Sequence, residues 1–447
     1  MIQKKFNLFL NSQISNYKKK IYVDSDKSIS IRSFLIGSIS NNISKTNNVL
    51  ESEDVFSTIS CLKKLGVKIK KNYSKNYSIY GKSLGSLYIK KGKELNFGNS
   101  GTLARLLIGI LSTTPDIDVK LRGDHSLNKR SMEKLINLMS KFGATFYPRG
   151  KYKFPLRLIS SKMPLPINYP SGSSAQLKSA VILAALNSYG DTIIIEKQKS
   201  RNHTENMIAR NKQSINIKKN TIRVKGKKFL EKIDINVPGD PSSASFFTAL
   251  TLLSQKSSLI IKNVGLNSSR IGFYKLLKKH GANIKFKNLK KDNFEIVGDI
   301  FVKSCKLKPI KASKKYYVNT TDEYPILFVI AALIKGVSVF EGIKDLANKE
   351  SNRITEMQKV LDQLGIKSIY AKNKLKIFGS GIFNGRNKTI NIPNLGDHRI
   401  CMSSFILALL TGTKAKIKNF ETVYTSSPSF LNIMKKLGAR FEIKKIS

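Results

Sequence analysis

A run of small residues, GNSGT at 98–102, stands directly before an apolar stretch that begins at Leu103. Small side chains let backbone N–H groups turn into a tight loop, and the start of a helix adds unpaired N–H groups and the positive end of the helix dipole. Such a loop can bind a phosphate or a carboxylate, and Arg105 adds a cation one turn further on. The same pattern also fits an ordinary helix cap. The segment alone therefore indicates an anion site without establishing one.

Polar and charged residues introduce several other apolar stretches in the same way. The segments are DKSISIR (26–32), GDHSLNKR (123–130), SSAQ (173–176), SR (200–201), GDPSSAS (239–245), DEYP (322–325), NKESNR (348–353) and DHR (397–399). Each one alone fits a helix cap or a solvated charge. Together they supply arginines, lysines, Ser and Gln donors, and carboxylates beside cations. This set suits a substrate with several anionic groups and a reaction that needs proton transfer.

The elements that would position these groups recur along the chain. Five segments share an apolar helix end, a glycine and a short strand, and their glycines are Gly66, Gly143, Gly281, Gly365 and Gly438. A glycine just past a helix end is the usual left-handed cap. One gap of double length predicts a sixth copy near MIARNKQSINI (207–217), without its glycine. Six units of about 70 to 80 residues predict repeated supersecondary structure, and three units in each half predict two similar domains.

Three stretches are apolar nearly all round, which indicates helices that are buried on every side. They are AQLKSAVILAAL (175–186), PILFVIAAL (325–333) and ICMSSFILALL (400–410). The sequence therefore predicts helices inside each domain and strands outside, the reverse of a TIM barrel.

The chain is strongly basic, with 79 Lys and Arg against 29 Asp and Glu and a net charge of +50. Such a charge raises the possibility of a nucleic-acid partner. The lysines are nevertheless dispersed along the whole chain, with no basic arm and no zinc-finger pattern, so most are interpreted as solvated. The charge would still speed the arrival of anionic substrates.

The cysteines and the apolar stretches indicate the compartment. Cys61, Cys305 and Cys401 lie far apart, which predicts a reducing environment without disulfides or a zinc site. No apolar stretch is long enough to span a membrane, and residues 1–22 lack a signal-peptide pattern. A cytoplasmic protein without a membrane partner is expected.

On these segments the chain resembles the enolpyruvyl transferase superfamily, and within it the EPSP synthase family. The matching segments follow the family's order over nearly the whole chain: DKSISIR (26–32), GNSGTLARLL (98–107), GDHSLNKRSM (123–132), SSAQLKSAVILAAL (173–186), SRNHTE (200–205), GDPSSASFF (239–247), DEYPILFVIAALIKG (322–336), LANKESNRI (346–354) and LGDHRICM (395–402). The resemblance implies a two-domain inside-out α/β barrel made of six βαβαββ repeats. It also implies an N-terminal domain of residues 23–241 that mainly binds shikimate 3-phosphate. Residues 1–22 and 242–447 would form the C-terminal domain, with acid/base and phosphoenolpyruvate-binding groups and an active site in the cleft between the domains.

The resemblance further implies the reaction. The enolpyruvyl group of phosphoenolpyruvate would pass to the 5-hydroxyl of shikimate 3-phosphate by addition and elimination through a tetrahedral intermediate, as in the shikimate pathway of aromatic amino acid biosynthesis. A monomer that needs no cofactor, metal or nucleic acid is expected. Asp322 is the implied base for the 5-hydroxyl, and Glu350 with Lys27 would move the proton at C3.

The resemblance also assigns binding residues. The residues implied for phosphoenolpyruvate are Lys27, Asn99, Gly101, Thr102, Arg130, Gln176, Arg353 and Arg399. The residues implied for shikimate 3-phosphate are Lys27, Ser28, Arg32, Ser173, Ser174, Gln176, Arg201, Asp322 and Lys349. Within the family pattern, Arg105 would support the loop from the helix, and Gly101 would leave room beside phosphoenolpyruvate.

The chain departs from the family pattern at several positions. Asp24 and Ser25 replace a proline and a glycine, Ile31 replaces a histidine, and Asn352 replaces an aspartate. Many members carry a lysine about where Thr425 falls, so no phosphoenolpyruvate lysine is assigned there. None of these departures removes a proposed catalytic group.

Two alternatives remain at this point. The first is the sister enzyme that acts on UDP-N-acetylglucosamine and usually carries a catalytic cysteine in its first half. Between Leu62 and Ser304 this chain has no cysteine, and it has the shikimate-phosphate motif at Lys27, Ser28 and Arg32. The second alternative is a basic nucleic-acid-binding protein, which salt-dependent DNA retention without transferase activity would favour.

Overall fold

The computed structural model describes residues 5–292 and 295–446, and these form two compact units. One unit holds Ser25–Val237 together with Lys291, Asp292 and Glu295. The other holds the described residues up to Asp24, Pro238–Lys290 and those from Ile296 onward. Each unit has its own hydrophobic core. The main segment of the first unit thus runs from residue 25 to residue 237, whereas the resemblance implies a first domain of residues 23–241.

The elements are numbered in chain order. The strands in the described residues are β1 Phe6–Leu10, β2 Lys18–Tyr22, β3 Ile43–Asn47, β4 Lys68–Tyr73, β5 Asn76–Tyr80, β6 Glu94–Asn96, β7 Asp118–Arg122, β8 Thr145–Tyr147, β9 Leu156–Ile159, β10 Asn168–Ser171, β11 Asp191–Glu196, β12 Ile215–Lys218, β13 Thr221–Lys225, β14 Asp234–Asn236, β15 Ser258–Gly265, β16 Asn283–Asp292, β17 Glu295–Lys303, β18 Lys311–Ala312, β19 Gly336–Glu341, β20 Ser368–Ala371, β21 Lys374–Gly379, β22 Thr389–Ile392, β23 Lys414–Ile417 and β24 Phe441–Lys445. The α-helices are α1 Lys27–Ile39, α2 Glu53–Lys64, α3 Gly101–Thr113, α4 His125–Lys129, α5 Glu133–Lys141, α6 Ala175–Ala185, α7 His203–Ile208, α8 Pro241–Leu253, α9 Gly272–Lys279, α10 Tyr317–Thr320, α11 Tyr324–Ala332, α12 Arg353–Asp362, α13 His398–Thr411 and α14 Phe430–Lys436. Short 3₁₀ helices cover Lys314–Tyr316, Lys344–Asn348 and Phe420–Thr425.

The described strands form six sheets of four strands each, three in each unit. The strand orders in the first unit are β14-β3-β5-β4, β6-β7-β9-β8 and β10-β11-β13-β12. Those in the second unit are β16-β17-β15-β2, β18-β19-β21-β20 and β22-β23-β1-β24. The second sheet shows the repeat clearly, since β6 runs parallel to β7 while β9 pairs antiparallel with both β7 and β8. The prediction of six α/β repeats is confirmed.

The repeat glycines have the backbone conformation that their position predicts. All five have positive φ angles, from +72° at Gly365 to +102° at Gly438. Residues with a β-carbon rarely adopt this conformation, which is why glycine closes these helices. In the sixth repeat, α7 and β12 occupy the predicted place without a glycine.

The central helices are largely buried. Every residue of α11 and α13 is buried, as predicted, and so is every residue of α8. The third predicted helix, α6, is buried from Lys178 onward, while its first three residues are half-buried. In the first unit the backbones of α3 and α6 are in close contact at Gly109. A side chain there would prevent the contact, because its β-carbon would lie 2.6 Å from the carbonyl oxygen of Ala180. This close approach brings the starts of two helices together.

Two strands pair with strands that are distant in the sequence rather than with those that follow them. β2 precedes α1 but pairs in parallel with β15, while β14 precedes α8 but pairs in parallel with β3. β1 pairs with β23 and β24, so the N-terminal strands complete sheets of the second unit. Within the described residues, no helix has both the length and the apolar character needed to cross a membrane.

Candidate active site

The small-residue loop lies between β6 and α3. Its helix begins at Gly101, and Ser100 caps it by accepting the Leu103 N–H at 3.3 Å. Gly98 has a φ angle of +57°, and its carbonyl oxygen accepts the Asp124 N–H at 2.8 Å. The loop therefore has a fixed backbone, with the positive end of a long apolar helix at its end.

Side chains from α3 and α6 meet over this loop. Arg105 Nη1 donates to the Gly101 carbonyl oxygen at 3.0 Å and to Gln176 Oε1 at 3.0 Å. Gln176 Nε2 donates in turn to Thr102 Oγ1 at 2.9 Å. The predicted support of the loop by Arg105 is confirmed. The loop and the start of α6 are thus held together by a continuous chain of hydrogen bonds.

A second guanidinium, that of Arg130 directly after α4, also bonds to the loop. Arg130 Nη2 donates to Asn99 Oδ1 at 2.7 Å and to Ser126 Oγ at 3.3 Å. A β-carbon at Gly101 would lie 2.7 Å from Arg105 Nη1 and 3.3 Å from Arg130 Nη1. Glycine therefore lets two cations approach the same helix start, which suits an anionic ligand. We call Asn99, Gly101, Thr102, Arg105, Arg130 and Gln176 the loop cluster.

The start of α1 carries the second group of predicted residues. Asp26 caps this helix by accepting the Ile29 N–H at 2.9 Å, and Lys27 Nζ lies 3.2 Å from Asp54 Oδ2. Lys27 and Ser28 are half-buried. The Lys27 ammonium is therefore held by a neighbouring helix rather than extended into solvent.

Arg32 is 4% exposed and donates to three protein oxygens. Its Nη1 donates to the carbonyl oxygen of Ser28, its Nε to Thr204 Oγ1 at 2.9 Å, and its Nη2 to Ser179 Oγ at 3.3 Å. The guanidinium thus links α1 to α6 and α7.

The remaining predicted residues of this unit lie at the start of α6 and before α7. Ser173 is exposed, and Ser174 caps α6 by accepting the Leu177 N–H at 3.4 Å. Arg201 is half-buried and belongs to the segment that joins β11 to α7.

The second unit brings three carboxylates around one buried guanidinium. Arg353 is 1% exposed, and its Nη2 donates to Glu350 Oε2 at 2.6 Å. Its Nε donates to Asp397 Oδ2 at 2.9 Å, while Nη1 lies 3.8 Å from Asp322 Oδ1. Burial alone would lower the pKa of Arg353, but the charges of Asp397 and Glu350 outweigh it and hold that pKa well above its ordinary value.

Asp397 also caps α13, the helix that carries Arg399 in its first turn. It is completely buried, accepts the Arg399 N–H at 2.9 Å and also accepts Ser351 Oγ at 3.0 Å. Arg399 Nη2 lies 3.9 Å from Asp322 Oδ2. We call Asp322, Glu350, Arg353, Asp397 and Arg399 the carboxylate–arginine cluster.

The carboxylates in this cluster differ in exposure. The side chains of Asp322 and Glu350 are 23% and 24% exposed, whereas that of Asp397 is 0% exposed. Asp322 lies in the short link between α10 and α11, and Glu350 follows half-buried Lys349 after a 3₁₀ helix. Asp322 and Glu350 therefore have carboxylates that solvent or a ligand can reach, while Asp397 pairs with the Arg353 guanidinium inside the protein.

Asp397 is a buried partner of Arg353 to which the sequence assigns no role in the site. Its local pattern, an aspartate directly before a helix, predicts a helix cap, and Asp397 does cap α13. Two of the departures from the family pattern also have structural partners. Asn352 caps α12 by accepting the Thr355 N–H at 3.2 Å, and Asp24 Oδ2 accepts the Ser429 N–H at 2.9 Å.

The three cysteines are not paired with one another. All three are free thiols, and Cys61 and Cys401 are buried. Burial raises the pKa of the Cys61 thiol to about 12. In the part of the chain that the structure describes, no group of three or more His, Cys, Asp or Glu residues is placed to hold a metal ion.

The family model for EPSP synthase (3-phosphoshikimate 1-carboxyvinyltransferase) matches residues 12–434. The 3-phosphoshikimate 1-carboxyvinyltransferase of Petrotoga mobilis is 39% identical over 425 residues, which cover 94% of this chain and 97% of that protein. The protein of the same name from Vesicomyosocius okutanii is 36% identical and covers 97% of each chain.

Solved structures agree with the sequence comparison. An EPSP synthase from Acinetobacter baumannii superposes with a TM-score of 0.85 and 31% identity, covering 98% of this chain and 100% of the other. The enolpyruvyl transferase NikO from Streptomyces tendae shares the fold, with a TM-score of 0.76 and 13% identity over 99% of this chain. From its fold, its full-length matches and its ordered motifs, the chain belongs to the EPSP synthase (3-phosphoshikimate 1-carboxyvinyltransferase) family.

Proposed function

We propose that this chain transfers the enolpyruvyl group of phosphoenolpyruvate to the 5-hydroxyl of shikimate 3-phosphate and releases phosphate. The family match over residues 12–434 supports this activity, which belongs to the shikimate pathway. The observation that carries the chemical argument is the carboxylate–arginine cluster. It combines two part-exposed carboxylates with two arginines, so it can move protons beside an anion.

Asp322 is the proposed base. It accepts the proton of the 5-hydroxyl while that oxygen bonds to C2 of phosphoenolpyruvate, and Glu350 with Lys27 delivers a proton to C3. Glu350 with Lys27 then takes a proton back from C3 of the tetrahedral intermediate. The C2–C3 double bond forms again as the C2–O bond to phosphate breaks, and phosphate leaves with the bonding electron pair. Arg353 and Arg399 lie 3.8 and 3.9 Å from Asp322, which supports an ionised carboxylate at this position.

The anion-binding roles divide between two sets of residues. For phosphoenolpyruvate we propose Arg353, Arg399, Lys27 and the loop cluster apart from Arg105, which supports the loop. In this cluster Arg130 and Gln176 bond to residues at the start of α3 and the loop before it. For shikimate 3-phosphate we propose residues at the starts of α1 and α6 and their neighbours. These are Lys27, Ser28, Arg32, Ser173, Ser174, Gln176, Arg201, Asp322 and Lys349.

We also propose that residues 23–241 mainly bind shikimate 3-phosphate and that the rest of the chain supplies the acid/base and phosphoenolpyruvate groups. The protein would act as a cytoplasmic monomer on these two small molecules, without a nucleic-acid partner. The dispersed lysines support this view, and the net charge of +50 favours fast capture of anionic substrates.

Two variants test the assignment of the catalytic groups. Asp322→Ala and Lys27→Met should abolish phosphate release while the far-ultraviolet circular dichroism stays that of the wild type. The conservative surface variant Lys359→Arg, which changes an exposed residue on α12, should keep wild-type turnover. Normal phosphate release by either Asp322→Ala or Lys27→Met would remove the basis of the proposal.

A further inference from the structure

A lysine is completely buried inside the first unit. Lys178 lies on α6, and its Nζ is 2.6 Å from Glu196 Oε1 and 2.6 Å from Glu205 Oε1. The side chains of the two glutamates are 9% and 2% exposed. Removing three charges from water is unfavourable, and a buried ion pair of this kind is often no more stable than apolar residues of the same size. Its presence therefore calls for a role other than stability.

The two glutamates stand at the two ends of one connecting segment. Glu196 ends β11, Glu205 belongs to α7, and the chain between them carries Arg201. Glu196 Oε1 also accepts the Ser200 N–H at 3.2 Å. One ammonium group thus ties both ends of this segment to α6, and the residue directly before Arg201 is anchored by the same carboxylate.

A neutral link lies next to the charged one. Thr204 Oγ1 donates to Ser179 Oγ at 2.8 Å and accepts Arg32 Nε at 2.9 Å. The residues at 178 and 179 of α6 therefore connect this helix to the Arg201 segment and to Arg32. The same α6 begins with the cap Ser174 and carries Gln176, which bonds to the loop cluster.

We propose that Lys178, Glu196 and Glu205 are positioning residues that fix Arg201 relative to the start of α6, so that shikimate 3-phosphate meets a preorganised set of donors. None of the three touches the substrate. Two carboxylates are needed on the one ammonium because the segment has two ends to hold. Preorganised donors bind an anion more tightly, since less ordering accompanies binding. This inference rests on the proposed function, which assigns Arg201 and Ser174 to that substrate.

The test uses Glu205→Gln and Glu196→Gln, which keep the shape of each side chain and remove its charge. Losing one of the two ion pairs of Lys178 should raise the KM for shikimate 3-phosphate by about tenfold. The KM for phosphoenolpyruvate and kcat should stay within about twofold of wild type, because the loop cluster keeps its bonds. Leu183→Ala is the matched control, since Leu183 is a buried core residue of the same helix. It should lower thermal stability and leave both KM values unchanged.

A double-mutant cycle separates positioning from a merely structural effect. If Glu205 acts through Arg201, then Glu205→Gln should add nothing to the KM change of Arg201→Ala. Additive effects, equal changes in both KM values or an unchanged KM for shikimate 3-phosphate would each overturn the inference. A wild-type enzyme that fails to use shikimate 3-phosphate would instead refute the proposed function.

Discussion

Replacing Asp397 with asparagine tests how the carboxylate–arginine cluster is held together. Asp397 is completely buried and accepts two hydrogen bonds from Arg353, at 2.9 Å from Nε and 3.3 Å from Nη2. It also caps α13 through the Arg399 N–H. Asparagine keeps the size of the side chain but loses its charge and turns one acceptor into a donor. The new amide N–H₂ would then face donors that it cannot satisfy.

The size of the effect follows from the burial and from the partners that remain. Removing one partner of a buried ion pair costs about 3–5 kcal/mol. Here Glu350 stays 2.6 Å from Arg353 and Asp322 stays 3.8 Å away, so the guanidinium keeps counter-charges. We therefore expect the lower end of that range, a loss of about 3 kcal/mol in the free energy of unfolding. Because Arg353 would shift toward the two remaining carboxylates, kcat should fall as well.

The assay is urea unfolding followed by circular dichroism, since the chain has no tryptophan. The two units can unfold separately, so the transition that shifts identifies the unit affected. Asp118→Asn is a matched control, because Asp118 also forms a bidentate pair with an arginine. Its two carboxylate oxygens lie 2.6 Å from Nε and Nη2 of Arg157. That pair is at the surface, where solvent screens it. The urea midpoint of Asp118→Asn should therefore equal that of the wild type.

Two results would refute this reasoning. An unchanged midpoint for Asp397→Asn would mean that the buried carboxylate does not hold Arg353. An equal shift in Asp118→Asn would mean that burial does not determine the strength of these pairs.

Three further predictions concern separate parts of the chain. Gly101→Ala should raise the KM for phosphoenolpyruvate more than that for shikimate 3-phosphate, since its β-carbon would lie 2.7 Å from Arg105 Nη1; equal changes would contradict the placement of the loop. Burial raises the pKa of Asp299, but hydrogen bonds from a lysine and two asparagines outweigh this and hold the pKa below its ordinary 3.8. Its contribution to stability is thus full well above that value and is lost as the pH falls through the lower folded pKa. Asp299→Asn should therefore be less stable than wild type at about pH 7, and the difference should shrink as the pH falls through the folded pKa. A difference in urea midpoint that persists in acid would argue against this. Because burial raises the pKa of Cys61 to about 12, iodoacetamide at about pH 8 should leave activity unchanged, and inactivation that follows labelling of Cys61 would contradict it.

The repeats and the buried helices could be predicted from the sequence because each depends on local chemistry. A helix that closes in the left-handed conformation needs glycine, so the spacing of Gly66, Gly143 and the later copies marks the repeat. A helix such as α13 has no polar face, and only an interior position accommodates that. The sixth repeat was found by spacing alone, since its glycine is missing.

The contacts within each cluster could not be predicted, because they join residues that are distant in the sequence. Asp397 has the local pattern of a helix cap, and nothing near it indicates its bond to Arg353, 44 residues away. Lys178 sits in a largely apolar helix, and its partner Glu205 is part of another element. The resemblance to a family indicated which residues matter, while the folded chain is needed to see which of them are held by others.

The most direct test of the central claim is phosphate release by the purified wild-type protein with phosphoenolpyruvate and one of two acceptors. With shikimate 3-phosphate we expect phosphate and 5-enolpyruvylshikimate 3-phosphate in equal amounts, and with UDP-N-acetylglucosamine no release above background. Release only with UDP-N-acetylglucosamine, or with neither acceptor, would contradict the proposed function.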